Sequence, residues 1–242
     1  MSDQADKVEK YLVQGFLDGT WPPGGTLPGE RELAERLGVS RQNVQGVIQR
    51  LARDGWLTAG ERRATRVNDF WAQGNLAVLN TLAAHIDDDH LSGFVGDLLA
   101  VRRSMAPVYA LQAVRNRPLE VVRYLARDVG DAAGLAAFDF ELHLLLAGLS
   151  GNRIYPMLLR SFGDLGRKAG FLYFSNPACR EASRRFYRRL MVAAARGDAR
   201  AAYRLTAAAM KESCRLWREI GKGGGKGCDG GTAGETTARN TF

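Results

Sequence analysis

A chain of 242 residues with 45% hydrophobic content can bury one or two globular cores, which excludes a wholly disordered protein. The formal charge of +8 calls for an anionic partner, while three cysteines without C-x-x-C spacing (Cys179, Cys214, Cys228) exclude a disulfide framework and a zinc site and are expected as free thiols. A polar, acidic start and no uninterrupted apolar run of membrane-spanning length predict no membrane association and a cytoplasmic location.

In chain order, Val8, Tyr11, Leu12, Gly15 and Phe16 recur at helical spacing up to Gly19, after which Trp21-Pro22-Pro23-Gly24-Gly25 imposes a turn or extended segment. Pro28-Gly29-Glu30 opens a short helix over 30–37 with Leu33, Ala34 and Leu37 on one face, closed by Gly38 in the left-handed conformation. Ser40 is placed to cap the next helix. Its buried stripe is Val44, Val47, Ile48 and Leu51, which leaves Arg41, Gln42, Asn43 and Gln45 as an exposed leading turn. That helix stops at Asp54-Gly55. Trp56-Leu57-Thr58, a turn at Gly60-Glu61-Arg62-Arg63, and Thr65-Arg66-Val67-Asn68 then predict a small β-hairpin with two arginines at its tip.

Two short helices joined by a tight turn, followed by a hairpin, spell a winged helix-turn-helix, and its expected partner is double-stranded DNA. The chemistry suits that partner. Arg41 can pair bidentately with guanine, Gln42, Asn43 or Gln45 with adenine, and Ser40 with phosphate or base, while Arg62 at the wing tip reaches an adjacent groove or backbone. Between Arg31 and Arg66 eight arginines face four acidic residues, so a local basic patch exists although residues 1–74 are balanced. Arg41 alone reads more readily as a solvated surface residue than as a base reader; the combination carries the reading.

Beyond a linker at 69–75, apolar residues at helical spacing predict helices over 91–116, 118–131, 135–149, 154–176, 177–196 and 199–220. The expected fold is therefore mainly α: the winged domain over 1–68, an antiparallel helical bundle over 76–222, and a Gly-rich, disordered tail over 223–242. The whole formal charge excess falls between residues 75 and 222, so a second anion is expected there. Arg180, Arg184, Arg185, Arg188 and Arg189 form either a solvated face or contacts to such an anion. No nucleophile–base pair or phosphate-cradling glycine loop is present, which argues against an enzyme.

The residues resemble the GntR family of transcription regulators through Pro23-Gly24, Leu27-Pro28, Glu30-Arg31-Glu32-Leu33-Ala34, Gly38-Val39-Ser40-Arg41 and Leu51-Ala52-Arg53-Asp54-Gly55-Trp56-Leu57. More narrowly, they resemble its regulators of fatty-acid metabolism through Val47-Ile48-Gln49-Arg50, Val67-Asn68-Asp69-Phe70-Trp71, Ser150-Gly151-Asn152-Arg153-Ile154-Tyr155, Tyr173-Phe174-Ser175-Asn176-Pro177 and Glu212-Ser213. The resemblance implies a homodimer on operator DNA that represses fatty-acid degradation, activates unsaturated fatty-acid synthesis, uses no cofactor and is released by long-chain acyl-CoA. It implies DNA contacts at Arg31, Ser40, Arg41, Gln42 and Asn43. Gln45 stands where the family has arginine, and Glu61-Arg62 where it has histidine-glycine. An acyl-CoA site is implied at Arg102, Tyr173, Tyr187, Glu212, Ser213, Trp217 and Lys222, with Met210 replacing a glycine. Without the resemblance, Tyr173, Tyr187 and Trp217 read as core aromatics and Arg102 and Lys222 as surface cations.

Asp139 and His143, at i and i+4, imitate the start of a metal motif from another GntR branch that binds small carboxylates. His85 and His90 lie before them rather than on the later helices, so the expectation is no metal.

Overall fold

The computed structural model describes residues 3–59, 64–86, 88–127 and 131–221. Helix α1 (Asp3–Leu17) packs Val8, Leu12, Val13 and Phe16 against α2 (Glu30–Leu37) and α3 (Arg41–Asp54). The turn between α2 and α3 is fixed as the residue types require. Gly38 adopts φ 63°, its N–H bonding back to α2 carbonyls, and Ser40 accepts from the Asn43 N–H to cap α3. Strands β1 (Leu57–Thr58) and β2 (Arg66–Val67) pair antiparallel, Leu57 opposite Val67. The segment from Gly24 to Leu27 adds backbone bonds to β2 and its neighbour: Gly24 N to Val67 O, Val67 N to Gly25 O and Leu27 N to Thr65 O, at 2.8–2.9 Å. The Pro-Pro-Gly-Gly stretch thus delivers a third edge to the wing. The wing-tip arginines, Arg62 and Arg63, lie outside the described residues, as does the tail expected to be disordered.

The expected linker contains a helical turn, α4 (Phe70–Gln73), capped by the Asp69 side chain, and α5 (Val78–His85) follows. Next come α6 (Asp88–Asn116), α7 (Pro118–Leu125), α8 (Ala132–Leu149), α9 (Ile154–Ser161), α10 (Gly163–Phe174), α11 (Pro177–Ala195) and α12 (Ala199–Gly221). Helix α5 lies outside the expected helices, α6 starts at Asp88 rather than 91, and two further boundaries differ in kind. Asp131 does not end a helix but begins one, accepting from Gly134 N as the cap of α8. The helix expected over 154–176 is broken at Phe162, where the ladder tightens to Phe162 N→Leu159 O and α10 restarts at Gly163. Gly166 and Gly170 then let α10 lie close on α8; a Cβ at Gly166 would meet the Phe140 ring at 3.2 Å.

Helix α8 is long and apolar enough, by length and composition, to cross a membrane. Here it is a core helix, with Leu135, Leu142 and Leu146 fully buried. Two apolar cores result, one in the winged half and one in the bundle, and Leu79 and Phe94 pack against both.

The halves are joined by more than the chain. Rings run from Phe16 to Trp56 (5.6 Å between centroids), Phe70 (4.4 Å), Trp71 (4.9 Å) and Phe94 on α6 (5.3 Å). Beside them the buried Glu9 carboxylate of α1 bonds Arg50 of α3 at 2.8 Å and His85 of α5 at 3.1 Å. The His85 hydrogen bond lowers the Glu9 pKa, burial opposes this, and Arg50 adds to the lowering, so Glu9 stays charged and bridges the two halves.

Candidate DNA-contacting surface and effector cavity

On the outer edge of the helix-turn-helix, Arg31, Ser40, Arg41, Gln42 and Gln45 are exposed. Arg31 is paired with Glu35 one turn on at 3.3 Å, and Arg41 Nε with Glu30 at 3.1 Å, with 87% and 72% of the two arginine side chains exposed. Such exposed pairs contribute at most about 1 kcal/mol, so phosphate or a base edge can exchange for the carboxylate. The exposed side chains lead α3 while Val44, Val47, Ile48 and Leu51 anchor it. Asn43 is placed differently: it is half-buried, and its amide donates to Gln4 of α1 at 2.7 Å, bracing the start of α3. Arg62 lies outside the described residues.

In the bundle, α6, α8, α9, α10, α11 and α12 enclose a cavity whose wall includes Arg102, Tyr173, Glu212 and Ser213, with Met105, Phe140, Phe162 and Met210 among its apolar lining. The structure therefore brings together four of the seven expected effector residues. Two more stand directly behind them. Tyr187 donates to Asp139 at 2.8 Å, and the buried Trp217 ring lies 6.4 Å from that of Tyr173. Lys222 lies outside the described residues. Glu212 is held at the rim by Arg185 at 3.0 Å. The Tyr173 hydroxyl is sealed from solvent without a hydrogen bond of regular geometry, with Cys179 and Ser213 as its near polar neighbours, and burial raises its pKa well above the ordinary phenol value.

Sequence reasoning missed the centre of the polar wall. Arg102 Nη1 donates to Asp139 Oδ2 at 2.7 Å in a largely buried ion pair. Burial alone would push the Asp139 carboxyl up; the Arg102 charge, His143 and the hydrogen bonds from Tyr187 and Arg102 bring it below its ordinary value. His143 is buried behind Asp139, its Nδ1 2.7 Å from the Tyr109 hydroxyl. Burial, helped by the Arg102 charge, pushes its pKa down to about 3, so the ring is neutral. Asp139 is thus matched by a guanidinium, where the metal motif would call for a cation and further ligands; among the described residues no group of three or more His, Cys, Asp or Glu is arranged for a metal. The signal for this wall was present: Asp139 falls on the α8 stripe formed by Leu135, Leu142 and Leu146, where a carboxylate requires a buried partner.

An exposed recognition edge on a winged helix-turn-helix, attached to a helical bundle with an internal cavity, defines a DNA-binding transcription regulator. Residues 4–67 match the family model for bacterial regulatory proteins of the gntR family, and residues 68–223 match the FadR C-terminal domain. The chain is 40% identical to a fatty acid metabolism regulator protein of Shewanella frigidimarina over 189 residues, covering 77% of this chain and 79% of the relative. It is likewise 40% identical to the protein of that name from Yersinia enterocolitica over 186 residues, 76% of this chain and 77% of the relative. A solved structure of Lar, described as controlling expression of the Listeria monocytogenes agr system, shares the fold at a TM-score of 0.53 and 16% identity, covering 91% of this chain and 99% of that one. The chain belongs to the GntR family, in the group of FadR fatty acid metabolism regulators, and is a transcription regulator rather than an enzyme.

Proposed function

We propose that this regulator binds operator DNA as a homodimer in the cytoplasm, represses fatty-acid degradation, activates unsaturated fatty-acid synthesis, and leaves its operator when long-chain acyl-CoA enters the bundle. The observation that carries the effector half is the cavity itself: an apolar lining for a hydrocarbon chain, with Arg102, Tyr173 and Ser213 as polar groups on its wall. Arg31, Ser40, Arg41, Gln42 and Gln45 supply the DNA half, with Arg62 assigned to the wing contact and Lys222 to the acyl-CoA site by resemblance.

The space inside the cavity is about 60 Å³, far below the roughly 300–1,000 Å³ of a preformed small-molecule site. Met210, buried in the wall, is one side chain that fills it. Acyl-chain entry therefore requires the bundle helices to move. Movement of α6 bears on Phe94 and Trp71, and so on the winged half and the spacing of the two recognition helices in a dimer.

The test is fluorescence anisotropy of a FadR-type operator at fixed salt, with and without oleoyl-CoA. Specific binding released by the thioester is expected. Binding indifferent to saturating oleoyl-CoA would remove the effector assignment, and absent binding would redirect the operator assignment towards a sequence read by Gln45.

A further inference from the structure

Three side chains point at the buried Asp139 carboxylate, and two of them are bonded to it. Arg102 holds Oδ2 at 2.7 Å and Tyr187 holds Oδ1 at 2.8 Å. The third, His143 Nε2, stops 3.7 Å from Oδ1, completely buried and without a hydrogen bond among the described residues. The tautomer follows from the surroundings. A bare Nε2 would aim its lone pair at the carboxylate, so the proton belongs on Nε2, and Nδ1 accepts from the Tyr109 hydroxyl at 2.7 Å. An N–H donor therefore waits just short of an acceptor already served by others. A buried donor left unpaired is unfavourable, and such a group in a native core calls for a reason.

Arg102 supplies that reason. It sits on the cavity wall as well as on Asp139, so an oxygen acceptor entering the cavity competes with Asp139 for the guanidinium charge. If the guanidinium turned to the ligand with nothing in exchange, a buried carboxylate would lose its charge partner. We propose that His143 is the standby donor of this site: when an effector oxygen draws Arg102 from Asp139, the His143 Nε2–H closes onto Oδ1 and, with Tyr187, holds the carboxylate. This rests on the reading that acyl-CoA enters the cavity. The exchange makes recognition depend on an oxygen-bearing ligand such as a thioester, because a plain hydrocarbon in the same cavity leaves Arg102 and His143 where they are.

Calorimetry of oleoyl-CoA binding to the wild-type protein is run beside NMR of the ¹⁵N-histidine-labelled protein, with the His143 signals identified by loss in H143F. The expected result is a neutral Nε2–H ring without ligand, whose ε2 proton moves downfield on saturation with oleoyl-CoA but not with dodecane. The double variant H143L/Y109F, which leaves no orphaned phenol, should bind oleoyl-CoA about tenfold more weakly, the scale of one hydrogen bond. H143Q, which keeps an N–H donor, should recover most of that loss. Calorimetric binding with an unmoved His143 signal overturns the standby role and leaves the effector assignment standing. Absent binding to the wild type removes both; where H143F fails to fold, loss of the other two histidine signals in H85Q and H90Q identifies His143 by elimination, and the NMR result still decides the matter.

Discussion

The Arg41–Glu30 pair shows how little of a DNA contact depends on the unbound arrangement. At 3.1 Å, with 72% of the arginine side chain exposed, it is easily exchanged, so the weight of Arg41 falls on the base it meets. R41A is expected to lower operator affinity by about 1–3 kcal/mol and flatten discrimination against mutated operators; anisotropy on matched and scrambled duplexes reads both, and wild-type discrimination contradicts the assignment. His143 gives a second prediction, on acidity. Its folded pKa of about 3 lies below the ordinary 6.5, so the unfolded chain takes up the proton first. The stability it contributes is complete above pH 6.5 and is lost as pH falls towards 3, by up to about 1.4 kcal/mol per pH unit. H143F should remove that slope in urea titrations between pH 7 and pH 5; an unchanged slope would show that the ring is not held neutral. Residues acting within one turn were legible from sequence: Ser40 as a cap, and Gly38 as a left-handed stop. Arg102 and Asp139 were not legible as a pair, because 37 positions separate them and only the packing of α6 against α8 joins them.

At the scale of elements, helices with a clear cap or stop residue were foreseen closely: α2 has the bounds expected, and α12 differs by one residue. The misses have different causes. Phe162 fits a continuing helix by composition, and what decides it is tertiary, the close approach of α10 to α8; Asp131 is decided locally, its side chain accepting from Gly134 N three residues on, a cap signal that the sequence carried. The end of α3 is a tight junction. Gly55 adopts φ 98°, and a Cβ there would stand 2.8 Å from the Gly74 Cα. G55A should therefore destabilise the protein by about 1–3 kcal/mol, read as an earlier urea midpoint, with any gain in stability contradicting the contact between α3 and the linker.

Across the whole molecule, the aromatic series from Phe16 to Phe94 and the Glu9 bridge offer physical links between cavity and recognition helix. Useful coupling needs only about 1–3 kcal/mol, the scale of a few such contacts. W71A removes the exposed ring that joins Phe70 to Phe94 in the series; operator binding should persist, while the ratio of affinities with and without oleoyl-CoA should fall towards one. A ratio equal to wild type would place the coupling in the Glu9 bridge instead.

The nearly filled cavity also has a consequence in time. A ligand that enters only opened molecules cannot load faster than the bundle opens. In stopped-flow mixing with increasing oleoyl-CoA, the loading rate should therefore level off at the opening rate; a rate that keeps rising in proportion would mean that the ligand docks before the helices part. With such a plateau, the delay between a rise in acyl-CoA and the release of the promoter is set by the protein's own breathing, and it stays the same however large the rise.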